Sequence, residues 1–144
     1  MTTASGMTPE QIEAFLGERR NIMVAALRRD GRPQVTPNWF YWDGARFYVS
    51  TTKARQKYKN FRRDPRVQLV LDDVTGFRTL LIDGTVELRD DIDAALPYFR
   101  QISARFRDQP EDPATLRERL VRENRVLLVI TPEKPPEQWS GWTR

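Results

Sequence analysis

The chain contains no cysteine and no histidine. Without cysteine there is no thiol nucleophile, no disulfide scaffold and no thiolate ligand for a metal. Without histidine there is no Ser/His or Cys/His arrangement, no imidazole-bound zinc and no histidine-ligated haem. For an enzyme made from the remaining residues, an organic cofactor is the expected source of the chemistry; the alternative is a protein that is not an enzyme. Long apolar runs are missing too. The stretch Val126-Leu127-Leu128-Val129-Ile130 is far too short to span a bilayer, so no membrane partner is expected. Met1 to Met7 has neither the basic region nor the apolar stretch of a signal peptide. A flexible N-terminus over residues 1–7 and a cytoplasmic location are therefore the expectations.

What is present is an ordinary globular composition. The 144 residues are 39% hydrophobic and 31% charged, enough for one domain, residues 1–144, with a core of its own. The formal charge of +4 is unevenly spread. From Lys53 to Arg66 there are seven basic residues and one acid, a net +6, whereas the rest carries 17 basic against 19 acidic, a net −2. A concentrated excess points to a local anion site rather than to a broad nucleic-acid face.

Thr8-Pro9-Glu10-Gln11 predicts a helix start, with Thr8 as cap, Pro9 at the first position and Gln11 closing a capping box. Ile12, Phe15 and Leu16 supply its apolar stripe, and Gly17 is placed to end it. Strands joined by tight turns follow. Asn21 to Arg28 and Gln34 to Tyr41 flank Asp30-Gly31, and Asp43-Gly44 leads into Arg46 to Thr51. Pro37 marks an edge or a bulge, since proline cannot donate to a ladder. A short basic helix, about Ala54 to Arg63, is closed by Asp64-Pro65, and strands return at Val67 to Leu71 and Arg78 to Leu88. A helical region opens at Asp90 and is kinked or divided by Pro97. A helix from Pro113 to Glu123 and a strand from Arg125 to Thr131 complete the domain, leaving an irregular tail, 132–144. Six short antiparallel strands with hairpin connections predict a small barrel.

The chemistry concentrates at Ser50-Thr51-Thr52-Lys53-Ala54-Arg55-Gln56-Lys57-Tyr58-Lys59-Asn60. A strand ending in three hydroxyl residues runs straight into a helix. Free N–H groups at the helix start, the hydroxyls, Arg55 and Lys57 can converge on one phosphate. The plainer alternative is a solvated basic helix with a threonine cap. In Trp39-Phe40-Tyr41-Trp42, strand alternation puts Trp39 and Tyr41 on one face and Phe40 and Trp42 on the other. One pair belongs to the core, and the other lines a pocket or an interface. Trp139 and Trp142, in a polar tail, need something to cover them. Their own barrel, a partner's pocket and a substrate site all remain open for that role.

Gly31-Arg32-Pro33-Gln34-Val35-Thr36-Pro37, the Asp43-Gly44 turn, Ser50-Thr51 with Arg55, Lys57 and Asn60, and Arg62-Arg63-Asp64-Pro65-Arg66-Val67 together resemble the F420-dependent, deazaflavin branch of the pyridoxamine-phosphate-oxidase-like superfamily. The resemblance covers about residues 8 to 131. It implies a mainly β fold with helices, a six-stranded antiparallel split barrel of the FMN-binding type, working as a homodimer with the cofactor at the subunit interface. It further implies that the ring system rests on Gln34, Val35 and Thr36 and on Ser50, Thr51 and Thr52. Arg55 and Lys57 would meet the phosphate end, with Asn60 supporting that turn. Phe77, Arg78, Thr79 and the C-terminal tail of the other subunit would complete the pocket.

By the same resemblance, the activity is that of an oxidoreductase moving a hydride between F420 and a small conjugated organic substrate. FMN is the alternative cofactor. Its binders tend to set Arg and Lys side by side, whereas Gln56 separates Arg55 from Lys57 here. The +6 segment also suits the more anionic F420 tail. A deazaflavin reacts poorly with oxygen, which favours a reductase over an oxidase. The rivals are a non-catalytic cofactor carrier and a nucleic-acid-binding barrel using the basic helix; the −2 balance outside that helix argues against the second.

Overall fold

A computed structural model describes residues 3–144. Helix α1 (Pro9–Gly17) begins with the expected reciprocal cap. Thr8 N donates to Gln11 Oε1 at 2.8 Å, and Gln11 N donates to Thr8 Oγ1 at 3.1 Å. Gly17 does not adopt a left-handed conformation, and the helix stops where Glu18 turns extended.

Eight strands follow where the sequence pattern predicts six. They are β1 (Ile22–Leu27), β2 (Pro33–Asn38), β3 (Tyr41–Trp42), β4 (Phe47–Thr52), β5 (Arg66–Asp72), β6 (Arg78–Arg89), β7 (Arg125–Pro132) and β8 (Ser140–Thr143). The helices between them are α2 (Gln56–Arg63), α3 (Ile92–Phe106) and α4 (Pro113–Arg122). The antiparallel sheet has the order β2-β1-β5-β6-β7-β4-β3, with β8 added alongside β6. It curls around an apolar core as a half-barrel.

The extra strands have identifiable causes. The single strand expected from Gln34 to Tyr41 divides at Trp39-Phe40, because its halves join opposite edges of the sheet. The segment expected to be an irregular tail makes a one-turn 3-10 helix, Pro136–Gln138, and then β8. Residues 3–7, expected to be flexible, are packed: Ala4 N donates to the Glu137 carbonyl at 2.9 Å, and Thr3, Ser5 and Met7 are buried. Residues 1 and 2 of that expectation lie outside the described residues.

Two apolar clusters hold the domain. The inner one fills the half-barrel with residues such as Phe15, Val24, Phe40, Phe47, Leu69 and Ile130. The outer one joins β4 and β7 to α3 and α4 through Tyr48, Leu127, Val129, Phe99, Ile102 and Leu120. Strand β7 is buried on both faces, which is why its sequence is continuously apolar rather than alternating. Pro97 does not divide α3, which runs unbroken from Ile92 to Phe106. Pro97 lies in the second turn, where it forfeits the bond to the Asp93 carbonyl and crowds that carbonyl without stopping the helix. Among the described residues no helix is long and apolar enough to cross a membrane.

Candidate functional site

The sheet is open between its edge strands β2 and β3, and Trp39-Phe40 carries the chain across that seam. Phe40 is fully buried, 5.9 Å from Phe47 and 6.3 Å from Phe106 between ring centroids. Backbone groups in such a crossing lack ladder partners and need others. Arg105 of α3 supplies one: it donates to the Phe40 carbonyl at 3.0 Å and to the Leu16 carbonyl at 2.9 Å, with its guanidinium over the Phe40 ring. Burial lowers the pKa of this arginine.

Gln34, Thr36 and Asn38 alternate along β2, so they share the face that meets α2. With Arg55, Gln56 and Lys57 they line a recess of about 250 Å³. Lys57 is only 4% exposed, and its Nζ donates to Asn38 Oδ1. The Asn38 amide is fixed in turn, donating to the Thr36 carbonyl at 2.8 Å and to Thr36 Oγ1 at 3.1 Å. Asn60, fully buried, ties helix to strand: its Nδ2 donates to Gln34 Oε1 at 2.8 Å, and its Oδ1 accepts from Gln56 Nε2 at 2.9 Å.

Among the described residues neither Arg55 nor Lys57 has a carboxylate partner. Burial, with the charges of Arg55 and Arg125 adding to it, pushes the Lys57 ammonium down to about 8. A buried cation with no acid partner among the described residues makes this recess a candidate anion site. The residue capping α2, Arg55, gives no side-chain hydrogen bond to the first turn, so that turn has no built-in cap.

Beyond Arg55 lies a second, larger cleft of about 370 Å³, between the barrel and the α3–α4 pair. The two recesses share Pro37, Asn38 and Arg55. Trp39 lines the cleft, stacked on Phe106 at 5.3 Å, and Ser50 lines it from β4.

The structure thus brings together Gln34, Thr36, Arg55, Lys57 and Asn60 of the residues singled out in the sequence. Ser50 stands on the cleft side and accepts from Arg125 Nη1 at 3.3 Å. Thr51 is fully buried on the inner face of β4, and its hydroxyl has no partner. Thr52, beyond it, is half-buried and pairs with Arg125 in the ladder. Val35 projects from the other face of β2 and is 53% exposed. Phe77, Arg78 and Thr79 line neither recess of this subunit. Phe77 is exposed at a hairpin end, Arg78 is tied to Asp73 at 2.8 Å and Glu18 at 3.1 Å, and Thr79 is buried beside β8. Asn38, Arg107, Arg119 and Arg125 were not singled out in the sequence. The two-residue period from Gln34 through Thr36 signals Asn38; the arginines are assembled from separate elements.

The sequence profile described as pyridoxamine 5'-phosphate oxidase matches residues 8–135. This chain belongs to that family. Its named relatives put it in the F420-dependent branch: it is 33% identical over 102 residues to the F420H(2)-dependent biliverdin reductase of Mycobacterium tuberculosis, covering 69% of this chain and 73% of the other. The solved structure of an F420 reductase is similar with a TM-score of 0.72 and 28% identity, over 91% of this chain and all of that one. A conserved hypothetical protein from Mycobacterium tuberculosis superposes with a TM-score of 0.78 over 91% of this chain and 84% of its own. At 24% identity that likeness speaks for the fold alone.

Proposed function

We propose that the protein is an F420-dependent reductase that binds its cofactor through the recess between β2 and α2, as a homodimer. The observation that carries this reading is Lys57: a buried ammonium without an acid, held by a neutral amide in a recess that also contains Arg55. The donor set fits a phosphate, being cationic and amide in kind, with no carboxylate to repel it. The named relatives, an F420H(2)-dependent biliverdin reductase and an F420 reductase, support F420 as the group that carries that phosphate.

Within this reading each residue has a task. Lys57 and Arg55 carry the charge that holds the phosphate, and Asn38 fixes the direction of the Lys57 ammonium. Asn60 and Gln34 keep α2 at its distance from β2. Reduced F420, when bound, supplies a hydride and so a two-electron reduction of a small conjugated organic substrate. No side chain of this chain is needed as a covalent catalyst.

The dimer has its own support. Val35 on the edge strand, Phe77 and Trp142 are large apolar residues left largely uncovered, and such groups mark contact surfaces when they lie together on an assembled face. In the dimer a second copy brings Phe77 and Arg78 to the pocket, with Thr79 anchoring the strand beneath them.

Titrating the protein with F420 and, separately, with FMN while following cofactor fluorescence tests the reading. Saturable F420 binding that is weakened at least tenfold in Lys57→Ala supports it. Tight binding of FMN alone moves the protein to ordinary flavin chemistry on the same fold. Binding of neither removes the proposed function.

A further inference from the structure

Strand β4 ends in three hydroxyl residues, and the structure offers one of them to a ligand. Thr51 is fully buried in the core. Thr52 is half-buried and lines neither recess. Ser50 is partly exposed and lines the larger cleft, though not the recess that holds Lys57. Arg125 lies diagonally across from it, because β4 and β7 pair Ser50 with Leu127 and Thr52 with Arg125. From that position Arg125 Nη1 donates to Ser50 Oγ at 3.3 Å.

Arg125 is itself held. Its Nε donates to Glu123 at 2.7 Å, Glu123 also takes Arg119 at 3.3 Å, and Arg119 pairs with Glu111 at 2.9 Å. Two acids and two arginines alternate, so the chain of charges is balanced and the Arg125 guanidinium has a fixed direction. The turn beneath it is tied to the end of β4: Asn124 takes a positive φ of 53°, and its carbonyl accepts from Lys53 N at 3.2 Å. A serine hydroxyl has one proton to give and two lone pairs. The guanidinium occupies the lone-pair side, so the O–H turns away from Arg125, and among the described residues it finds no acceptor. Ser50 is thus a donor left open on the cleft, polarised by the cation behind it.

We propose that Ser50 is the hydrogen-bond donor to the heteroatom of the conjugated substrate, and that Arg125 is its positioning residue. The substrate role rests on the reductase function proposed above, whereas the direction of the hydroxyl does not. It differs from the ring contact that the resemblance implies for Ser50. Ser50 stands outside the recess between β2 and α2, on the cleft that meets it at Pro37, Asn38 and Arg55. Adding a hydride to a conjugated system forms one C–H bond, breaks one π bond and sends that electron pair to the far heteroatom. A donor already aimed at that atom binds the charge as it develops and so lowers the barrier. A proton from water then completes the reduction, and F420 is left oxidised.

The chain has no cysteine, so Ser50→Cys introduces a single thiol whose ionisation reports the field at this position. Alkylation of the full chain by iodoacetamide, followed against pH, gives the thiol's midpoint without substrate or cofactor. That midpoint should lie at least one unit below the ~8.5 of a free cysteine. Arg55, Arg107 and Arg119 line the same cleft, so the part played by Arg125 is isolated by two double variants. Adding Arg125→Gln should raise the midpoint, and adding Glu123→Gln, which takes the acid from Arg125, should lower it further. The opposite signs keep the test decisive if one double variant does not fold. Saturating oxidised F420 should leave the alkylation rate unchanged. An ordinary midpoint, or one that neither double variant moves, overturns the polarised donor. Protection of the thiol by F420 gives position 50 to the cofactor and overturns the substrate role. F420 that binds neither the native chain nor the variant removes the reductase reading and the substrate role with it, while the midpoint still judges the donor.

Discussion

Lys57, only 4% exposed, donates from Nζ to Asn38 Oδ1, and Asn38 is itself held by two bonds to Thr36. A neutral amide orients the ammonium without neutralising it. The charge therefore stays available to a ligand, at the cost of a depressed pKa.

That cost gives a pH signature. The folded pKa of Lys57 is about 8, below the ordinary 10.5, because of burial first and of Arg55 and Arg125 second. In the cofactor-free protein, the penalty for the buried charge is present in full below pH about 8 and is relieved as pH rises toward 10.5. This group therefore makes the free protein more stable toward alkaline pH. An anionic ligand favours the protonated form, so its affinity should be flat below pH about 8 and fall by up to tenfold per unit above it. Lys57→Arg, charged throughout, should remove the fall. F420 dissociation constants for both proteins between mildly acid and alkaline pH check this; a Lys57→Arg profile that matches the native one removes Lys57 from the anion site.

Lys57→Ala should weaken cofactor binding by roughly 1.5–3 kcal/mol, the worth of a charge-assisted hydrogen bond. Asn38→Leu removes the orienting amide and keeps the charge, so its loss should be smaller. Equal affinity of all three proteins would mean that the phosphate lies elsewhere.

Asn60 makes a different kind of contribution. Its amide joins α2 to β2 through Gln34 at 2.8 Å and Gln56 at 2.9 Å, and none of it is exposed. Asn60→Ala leaves those partners unsatisfied and should cost about 1–3 kcal/mol of folding stability, read by urea denaturation. Gln34→Ala should cost less, because Gln34 is half-exposed and water can replace it. F420 affinity should fall in Asn60→Ala even where the protein remains folded, since the helix carrying Lys57 loses its spacing.

The parts of this fold that were legible in the sequence are the locally determined ones. The Thr8–Gln11 cap lies within one turn of helix. The hairpin glycines Gly31, Gly44 and Gly76 all have positive φ, at +89°, +97° and +71°, conformations that the flanking residues alone announce. The break at Trp39-Phe40 was not legible, because that segment alternates like a strand. Only closure of the sheet around its core sends the two halves to opposite edges. The recess between β2 and α2 was half legible: Arg55, Lys57 and Asn60 lie at or in one helix, whereas Asn38 meets them through the tertiary fold.

The C-terminal segment offers a test of its own packing. Trp139, 2% exposed, belongs to the barrel core: its ring lies 5.4 Å from Trp42 and 5.8 Å from Phe47, and its indole N–H donates to the Lys134 carbonyl at 2.8 Å. Trp139→Ala should cost about 3–5 kcal/mol, the usual loss for a large aromatic in a core. Trp142, 43% exposed, should cost the free subunit far less, and its substitution should act on dimerisation, measured by light scattering.

Strand β8 stays in place only if the chain can approach β6 closely at Gly141. A Cβ there would stand 1.9 Å from the Thr79 carbonyl oxygen, and the backbone has φ of +143°. Both effects penalise any side chain. At Gly31 the φ is similarly positive, +89°, but nothing lies within 4 Å, so only the backbone strain remains. Gly141→Ala should therefore lower the melting temperature by clearly more than Gly31→Ala does, corresponding to about 1–3 kcal/mol of overpacking beyond the shared strain. It should also speed amide exchange along Arg78 to Leu81, the residues that β8 covers. Equal melting points for the two variants, with exchange at Arg78 to Leu81 unchanged, would mean that the C-terminal segment does not hold this strand.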